Sequence, residues 1–124
     1  MTIAVVLNEQ NMMTPIVEGT ILRIVNEDDF SYEDFSNPAL SLEKGRRGAT
    51  LRFAIEKNAT IFVAPPETFC ELSYKKALEE EFAFYEMETG QSYATFENLL
   101  RKGQIQVSKQ LRAVNVVPSA PVKK

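Results

Sequence analysis

A chain of 124 residues that is 44% hydrophobic and 25% charged is one domain's worth of ordinary globular sequence, long enough to bury a single core without metal or disulfides. It has no histidine and one cysteine, which excludes Ser-His and Cys-His nucleophile pairs, an imidazole base near neutral pH, a tetrahedral N/S zinc site and an internal disulfide. The net charge of −3 is unevenly divided: residues 1–100 hold eight bases and all 17 acids, a net of −9, while residues 101–124 hold six bases and no acid.

"TIAVVL" (Thr2–Leu7) is a continuous β-branched apolar run, the pattern of a strand covered on both faces. The loop "NEQNMMTPIVEGT" (Asn8–Thr20) follows. In "TILRIVNE" (Thr20–Glu27), Ile21, Arg23 and Val25 alternate with Leu22 and Ile24, predicting a second strand. Glu27–Asp29 turns the chain into a short third strand, Phe30–Ser36, and "NPAL" ends it because proline cannot donate to a ladder. Leu51, Ala54 and Ile55 recur at helical spacing, predicting a helix from about Arg47 to Lys57 that stops at Asn58. "TIFVA" (Thr60–Ala64) is a fourth strand, ended by Pro65-Pro66. A helix is expected to open at Glu67 or Thr68 and run through Glu80, with Phe69, Leu72, Tyr74, Ala77 and Leu78 at its apolar positions. "FAFYEM" (Phe82–Met87) reads as a fifth strand. Ser92 is an N-cap for a third helix whose inner stripe is Tyr93, Phe96 and Leu100. "QIQV" alternates like a strand, and "PSAPVKK" has the composition of a disordered end.

The order βββαβαβα implies a three-layer α/β domain with a mixed sheet: parallel strands joined by crossovers, plus an antiparallel hairpin. The domain takes up residues 1–105, and residues 106–124 form a basic C-terminal tail. Six charges over 24 residues without interleaved aromatics fit a solvated tail better than a nucleic-acid arm. The start "MTIAVVLNE" lacks a basic n-region, and no apolar run approaches the roughly 18 residues of a membrane span. With a single cysteine, these features predict a cytoplasmic protein without membrane attachment.

The succession "IAVVLNEQNMMTPIVEGTILRIV", "NPAL", "KGRRGATLRFAIEKNATIFVA", "YKKALEEEFAFYEM" and "TFENLLRKGQI" resembles the dinitrogenase iron–molybdenum-cofactor biosynthesis family over roughly residues 2–105. The resemblance lies in order and spacing. It implies a ribonuclease-H-like five-stranded mixed sheet, second strand antiparallel, flanked by helices, in a nitrogenase accessory protein that binds or carries a metal–sulfur cofactor cluster. Members of that family commonly carry a histidine in a Ser-x-His-Phe-Gly pattern. The corresponding loop here reads Pro15-Ile16-Val17-Glu18-Gly19, and a glycine pair after the fourth strand is here Pro65-Pro66.

Three stretches qualify as ligand sites. Met12 and Met13, followed by Thr14, offer soft thioethers to copper(I) or a cluster, although methionine without thiolate or imidazole partners more often fills gaps in a core. In "KGRRGAT", Gly45 and Gly48 free the backbone at a helix start, and Arg46 and Arg47 add charge for an oxyanion, set against the ordinary solubility role of surface arginines. The Gly-Lys-Ser/Thr of a phosphate loop is absent. Cys70, early in the second helix, sits where amide dipoles lower a thiol pKa, although a buried inert thiol is the commoner outcome. All three are expected where parallel strands end, and Glu27, Asp28 and Asp29 are expected to be solvated.

The expected function is a non-enzymatic binding or accessory module that has lost the histidine site, with a small anion or cofactor cluster as ligand. One rival is a protein–protein interaction module using the basic tail. The other is a metal-dependent phosphoryl-transfer enzyme, which needs carboxylates on adjacent strands that "TIAVVL" and "TIFVA" lack.

Overall fold

The computed structural model describes residues 1–88, 90–112 and 116–117. In chain order the elements are β1 (Thr2–Leu7), β2 (Ile21–Asn26), β3 (Tyr32–Ser36), a 3-10 turn (Pro38–Ser41), α1 (Arg46–Glu56), β4 (Ile61–Ala64), β5 (Phe69–Cys70), α2 (Glu71–Glu79), β6 (Ala83–Glu86), α3 (Tyr93–Arg101) and β7 (Val116–Val117). Five strands form one mixed sheet in the order β3-β2-β1-β4-β6, with β1–β2 and β2–β3 antiparallel and β1–β4 and β4–β6 parallel.

Central placement explains the unbroken apolar run of β1. Ala4 and Val6 face a core that includes Leu51 and Ala54 of α1 and Ala77 of α2. Ile3, Val5 and Leu7 face a second core with Tyr93 and Phe96 of α3. Strand period two thus divides the chain into three layers, with α1 and α2 on one face of the sheet and α3 on the other. The first core contains an aromatic cluster: Phe69 meets Phe62 and Phe84 edge-on at centroid distances of 5.2 and 5.7 Å.

Strands β1, β3, β4 and β6 run in the same sense, so their carboxyl ends share one edge. There the 8–20 loop, the start of α1, the β4–β5 connection and residues 87–88 and 90–92 gather. The opposite, amino edge carries Met1, the β2–β3 turn and the ends of the helices, with Arg101 stacked 4.2 Å over the ring of Phe30.

The second helix is shorter than its sequence suggests. It begins at Glu71, and Phe69–Cys70 instead form β5, paired in parallel with β7. After Pro65-Pro66 the chain turns through Glu67 at a left-handed φ of 67°, and Phe69 is drawn wholly into the aromatic core. The late start sets a register in which Ser73 and Ala77 face inward, so Leu72 and Leu78, expected at apolar positions, are exposed. "QIQV" does not form a strand. Gln104 N–H instead closes the end of α3 on the Leu99 carbonyl, and the antiparallel bridge falls one residue beyond the stretch, at Ser108 with Phe84. Farther along, Leu111 is buried and its N–H bonds the Tyr74 hydroxyl at 2.8 Å. The reading of Pro118–Lys124 lies outside the described residues.

One buried amide fastens the loops of the carboxyl edge. Asn37, which caps the 3-10 turn, donates through Nδ2 to the carbonyls of Ile16 at 2.7 Å and Gly19 at 2.8 Å. Its Oδ1 accepts from Thr50 Oγ1 of α1 at 2.6 Å and from Ala39 N–H at 3.2 Å. Gly19 is packed as tightly: a Cβ there would lie 2.3 Å from Val6 Cγ1 and 2.5 Å from Thr14 Oγ1. Asn37→Ala should therefore cost about 2–4 kcal/mol, because it leaves buried carbonyls and a hydroxyl without partners. Gly19→Ala should cost about 1–3 kcal/mol through overpacking. Urea unfolding of both variants measures this, with a loss below about 0.5 kcal/mol in either, the usual range for an inert surface change, as the contrary result.

Candidate functional site

The opening loop is held at both ends. Asn8 Oδ1 accepts from the N–H groups of Gln10 and Met12 at 2.9 and 3.0 Å, an Asx turn that the Asn-x-Gln-Asn sequence favours. Met13 is wholly buried in the α3-side core. Its N–H bonds the Gln91 carbonyl at 2.8 Å, and its own carbonyl accepts from Gly90 N–H at 3.0 Å. Met12 bridges Ser92. Asn11, left-handed at φ 59°, accepts at its carbonyl from Tyr93 N–H at 2.8 Å. Met12 and Met13 therefore join the loop to the start of α3, and Met13 packs as a core residue. The buried Thr14 hydroxyl has no hydrogen-bond partner among the described residues.

At the start of α1, Gly45 is left-handed at φ 64°, makes no side-chain cap, and no acid occupies the first turn. The first amides of this helix thus keep the donor character of a helix start. The two arginines there reach outward to other loops. Arg46 donates from Nε to the Ala39 carbonyl at 2.9 Å and from Nη2 to Val17 at 3.1 Å. Arg47 Nε donates to the Thr68 carbonyl at 3.0 Å. A Cβ on Gly48 would meet only Arg52 Nη1, at 3.6 Å, so packing does not require glycine there. Cys70 caps α2, with its N–H on Ser73 Oγ at 3.0 Å and its Sγ 3.3 Å from the same hydroxyl.

The three predicted stretches share the carboxyl edge but do not converge. Gly45–Gly48 joins the second half of the opening loop and, through Thr68, the approach to Cys70. Met12 and Met13 lie against α3 on the other face. Two features were missed from sequence. The first is Arg23 of β2, 5% exposed, which forks onto Asp34 at 2.7 and 2.9 Å and reaches Asn11 Oδ1 at 3.1 Å. Its guanidinium lies 3.8 Å from the Tyr32 ring centroid and 4.5 Å from that of Tyr93. Burial opposes its charge, but the Asp34 fork outweighs this and the pKa is raised. The signal was present, since an arginine on the apolar alternation of a strand demands a partner. The second is a crevice of about 630 Å³ lined by Pro66, Glu86, Met87, Glu88, Gln91, Leu99, Ile105 and Arg112. It opens beside the end of the edge strand β6, with Glu86 and Glu88 in its lining and Arg112 paired with Glu86 at 3.6 Å. No sequence spacing marks it, because it is assembled from four separate segments.

The donor set does not fit a protein-ligated metal cluster. Among the described residues no three His, Cys, Asp or Glu side chains converge as a metal site. The one thiol is engaged with Ser73, and the Met13 thioether is sealed in the core.

No protein-family model and no curated protein matches the sequence. Solved structures do resemble the chain. The apo form of the orange protein from Desulfovibrio gigas superimposes with a TM-score of 0.71 at 12% identity, covering 86% of this chain and 92% of that one. A protein from Methanocaldococcus jannaschii, provisionally described as a dinitrogenase, gives 0.62 at 17% identity, covering 90% and 97%. A Thermotoga protein, provisionally described as NifB and assigned to the DUF35 family, gives 0.63 at 10% identity, covering 90% and 96%. These likenesses show a shared fold. Among the described residues no helix is long and apolar enough to cross a membrane.

Two tyrosines on the α3 face report on this packing. Burial first, then the Tyr85 bond to Glu27 Oε2 at 3.0 Å and the charge of Glu97 near Tyr93, push both phenols up to about 12. A raised folded pKa means stability that is complete below the unfolded value of about 10 and is lost as pH climbs from there toward about 12. The urea midpoint should fall across that window, and less steeply in a Tyr85→Phe, Tyr93→Phe double variant. An identical fall in both proteins would remove these phenols from the account.

Proposed function

We propose that the chain is a non-enzymatic binding or accessory domain of the nitrogenase-related kind, on a ribonuclease-H-like sheet, which presents the carboxyl edge to a small anionic ligand. The crevice beside the end of β6 is not the anion site, because Glu86 and Glu88 line it and its one base, Arg112, pairs with Glu86 at 3.6 Å. The observation that carries this reading is the start of α1, where open amides and two arginines coincide without an acid in the first turn. The description of one structural neighbour as an apo form is in keeping with a fold used for binding. The order β3-β2-β1-β4-β6 with β2 antiparallel supports the arrangement. The non-enzymatic part rests on β1 and β4, which carry no carboxylate, and on Asp34, which is engaged by Arg23.

Amide spectra of labelled protein titrated with molybdate, phosphate and sulfate test the reading. Resonances of Arg46, Arg47 and Gly48 should move together, and the melting temperature should rise through preferential binding to the folded state. Arg47→Ala should weaken the response, while Met12→Leu with Met13→Leu should preserve it. A response that follows the methionines and ignores Arg47, or shifts confined to the amino edge, would refute the assignment.

A further inference from the structure

The five-stranded sheet ends in β3 on one side and β6 on the other. The β6 side is closed at Phe84, whose N–H and carbonyl both bond Ser108 at 2.7 Å. The β3 side is open. The backbone N–H of Asn26 bonds the Ser31 carbonyl, and that of Asn37 bonds the Thr20 carbonyl. Antiparallel alternation therefore turns the backbone groups of Ser31, Glu33, Phe35 and Asn37 toward β2. The N–H and C=O groups of Tyr32, Asp34 and Ser36 point out of the sheet, and all three residues are exposed. Aromatic rings flank this bare rim on both faces. Phe35 meets Phe53 edge-on at 5.2 Å on the α1 face, and Tyr32 lies over Arg23 on the α3 face. An unpaired strand of this kind is a template for another strand.

The strand itself supplies the complement to its own rim. Antiparallel pairing of two copies about Phe35 sets ring beside ring at the close, non-hydrogen-bonded position, and Asp34 opposite Ser36 of the second copy. Asp34 holds Arg23 with both oxygens, yet each oxygen keeps a lone pair for the Ser36 hydroxyl. Neither Glu33 nor Lys57 has an ion-pair partner among the described residues. The Lys57 ammonium lies 4.6 Å from the Phe35 ring centroid. In this pairing Glu33 is the diagonal neighbour of Phe35 in the other copy, at about 7–8 Å, so each Glu33 comes within reach of the Lys57 opposite. Pairing about Asp34 would instead set two carboxylates face to face, which is destabilising. Charge thus selects both the occupant and the register. We infer that β3 docks β3 of a second copy of this chain, joining two five-stranded sheets across a two-fold axis at Phe35. Main-chain bonds between Asp34 and Ser36 supply affinity, and Phe35 with the Glu33–Lys57 pairs fixes the register. The inference does not depend on the proposed anion site.

Sedimentation velocity of the full chain over a concentration series tests this, beside amide exchange measured at the two ends of the series. The parent should pass from monomer to dimer below roughly 1 mM, and the Asp34 and Ser36 amides should gain protection as the dimer forms. Ser36→Pro removes an outward N–H at an edge position where proline is tolerated. It should abolish the dimer and leave the melting curve of dilute protein unchanged. Glu33→Lys should weaken association by about tenfold, because the change acts twice across the axis. Adding Lys57→Glu to it should restore the parent affinity. The exchange and charge-swap arms stand without the proline variant. A monomer throughout the series, a dimer indifferent to Ser36→Pro, a charge swap that fails to restore association, or Asp34 and Ser36 amides that exchange equally fast in the dimer would overturn the inference.

Discussion

The Asn37 side chain is the interaction on which the arrangement of the carboxyl edge depends. Its two donors and its acceptor oxygen connect the opening loop, the 3-10 turn and α1, all in a setting closed to water. A fully satisfied buried amide contributes modestly as a set of bonds, but each loop carbonyl left without it would bear a desolvation cost. Arg46 extends the same clamp to Ala39 and Val17, and Arg47 carries it across to Thr68. The charged side chains at the start of α1 thus hold the loops that shape the edge. Any ligand there meets a framework already positioned.

Arg23 performs the matching task on the other face. Buried between Tyr32 and Tyr93 and forked onto Asp34, it reaches Asn11 and so fixes the first half of the opening loop to β3 and α3. The loop is consequently pinned from both faces of the sheet. In a fold whose relatives by structure are described in nitrogenase-related terms, this chain occupies that loop with packing residues: Met13 in the core, Ile16 in the core, and Gly19 pressed on Val6. The carboxyl edge is left with the crevice beside β6 and the open start of α1, and the amino edge with an apolar groove.

The sheet was legible because its signals are local. β1 announced double burial through six apolar or β-branched residues, and the alternation of β2 placed Leu22 against α1 and Val25 against α3. Helix α3 was read to its inner stripe because Ser92, Tyr93 and Phe96 fall at cap and core spacing. Where tertiary contacts compete with local preference, the reading fails. Phe69 has helical spacing with Tyr74 and Ala77, yet burial among Phe62 and Phe84 holds it in an extended segment and shortens α2. The acid-free composition of residues 101–124 suggests a solvated end, but Leu111 docks on Tyr74 through one long-range bond that composition does not encode. Asn37 appeared in sequence only as a strand breaker before proline. Its partners other than Ala39 lie 13 to 21 positions away, beyond any short pattern. The crevice, made of four segments, was invisible for the same reason.

The central claim is that the opening loop is framework, fastened from both faces, and that binding takes place beside it. Native-state hydrogen exchange of the loop amides tests this directly. Met12 N–H bonds Asn8 Oδ1, and those of Met13 and Thr14 bond Gln91 and Val6, so all three should be protected to a degree approaching the amides of β1. Exchange at the rate of an unstructured peptide, while β1 stays protected, would show a loose loop free to close on a ligand and would contradict the account.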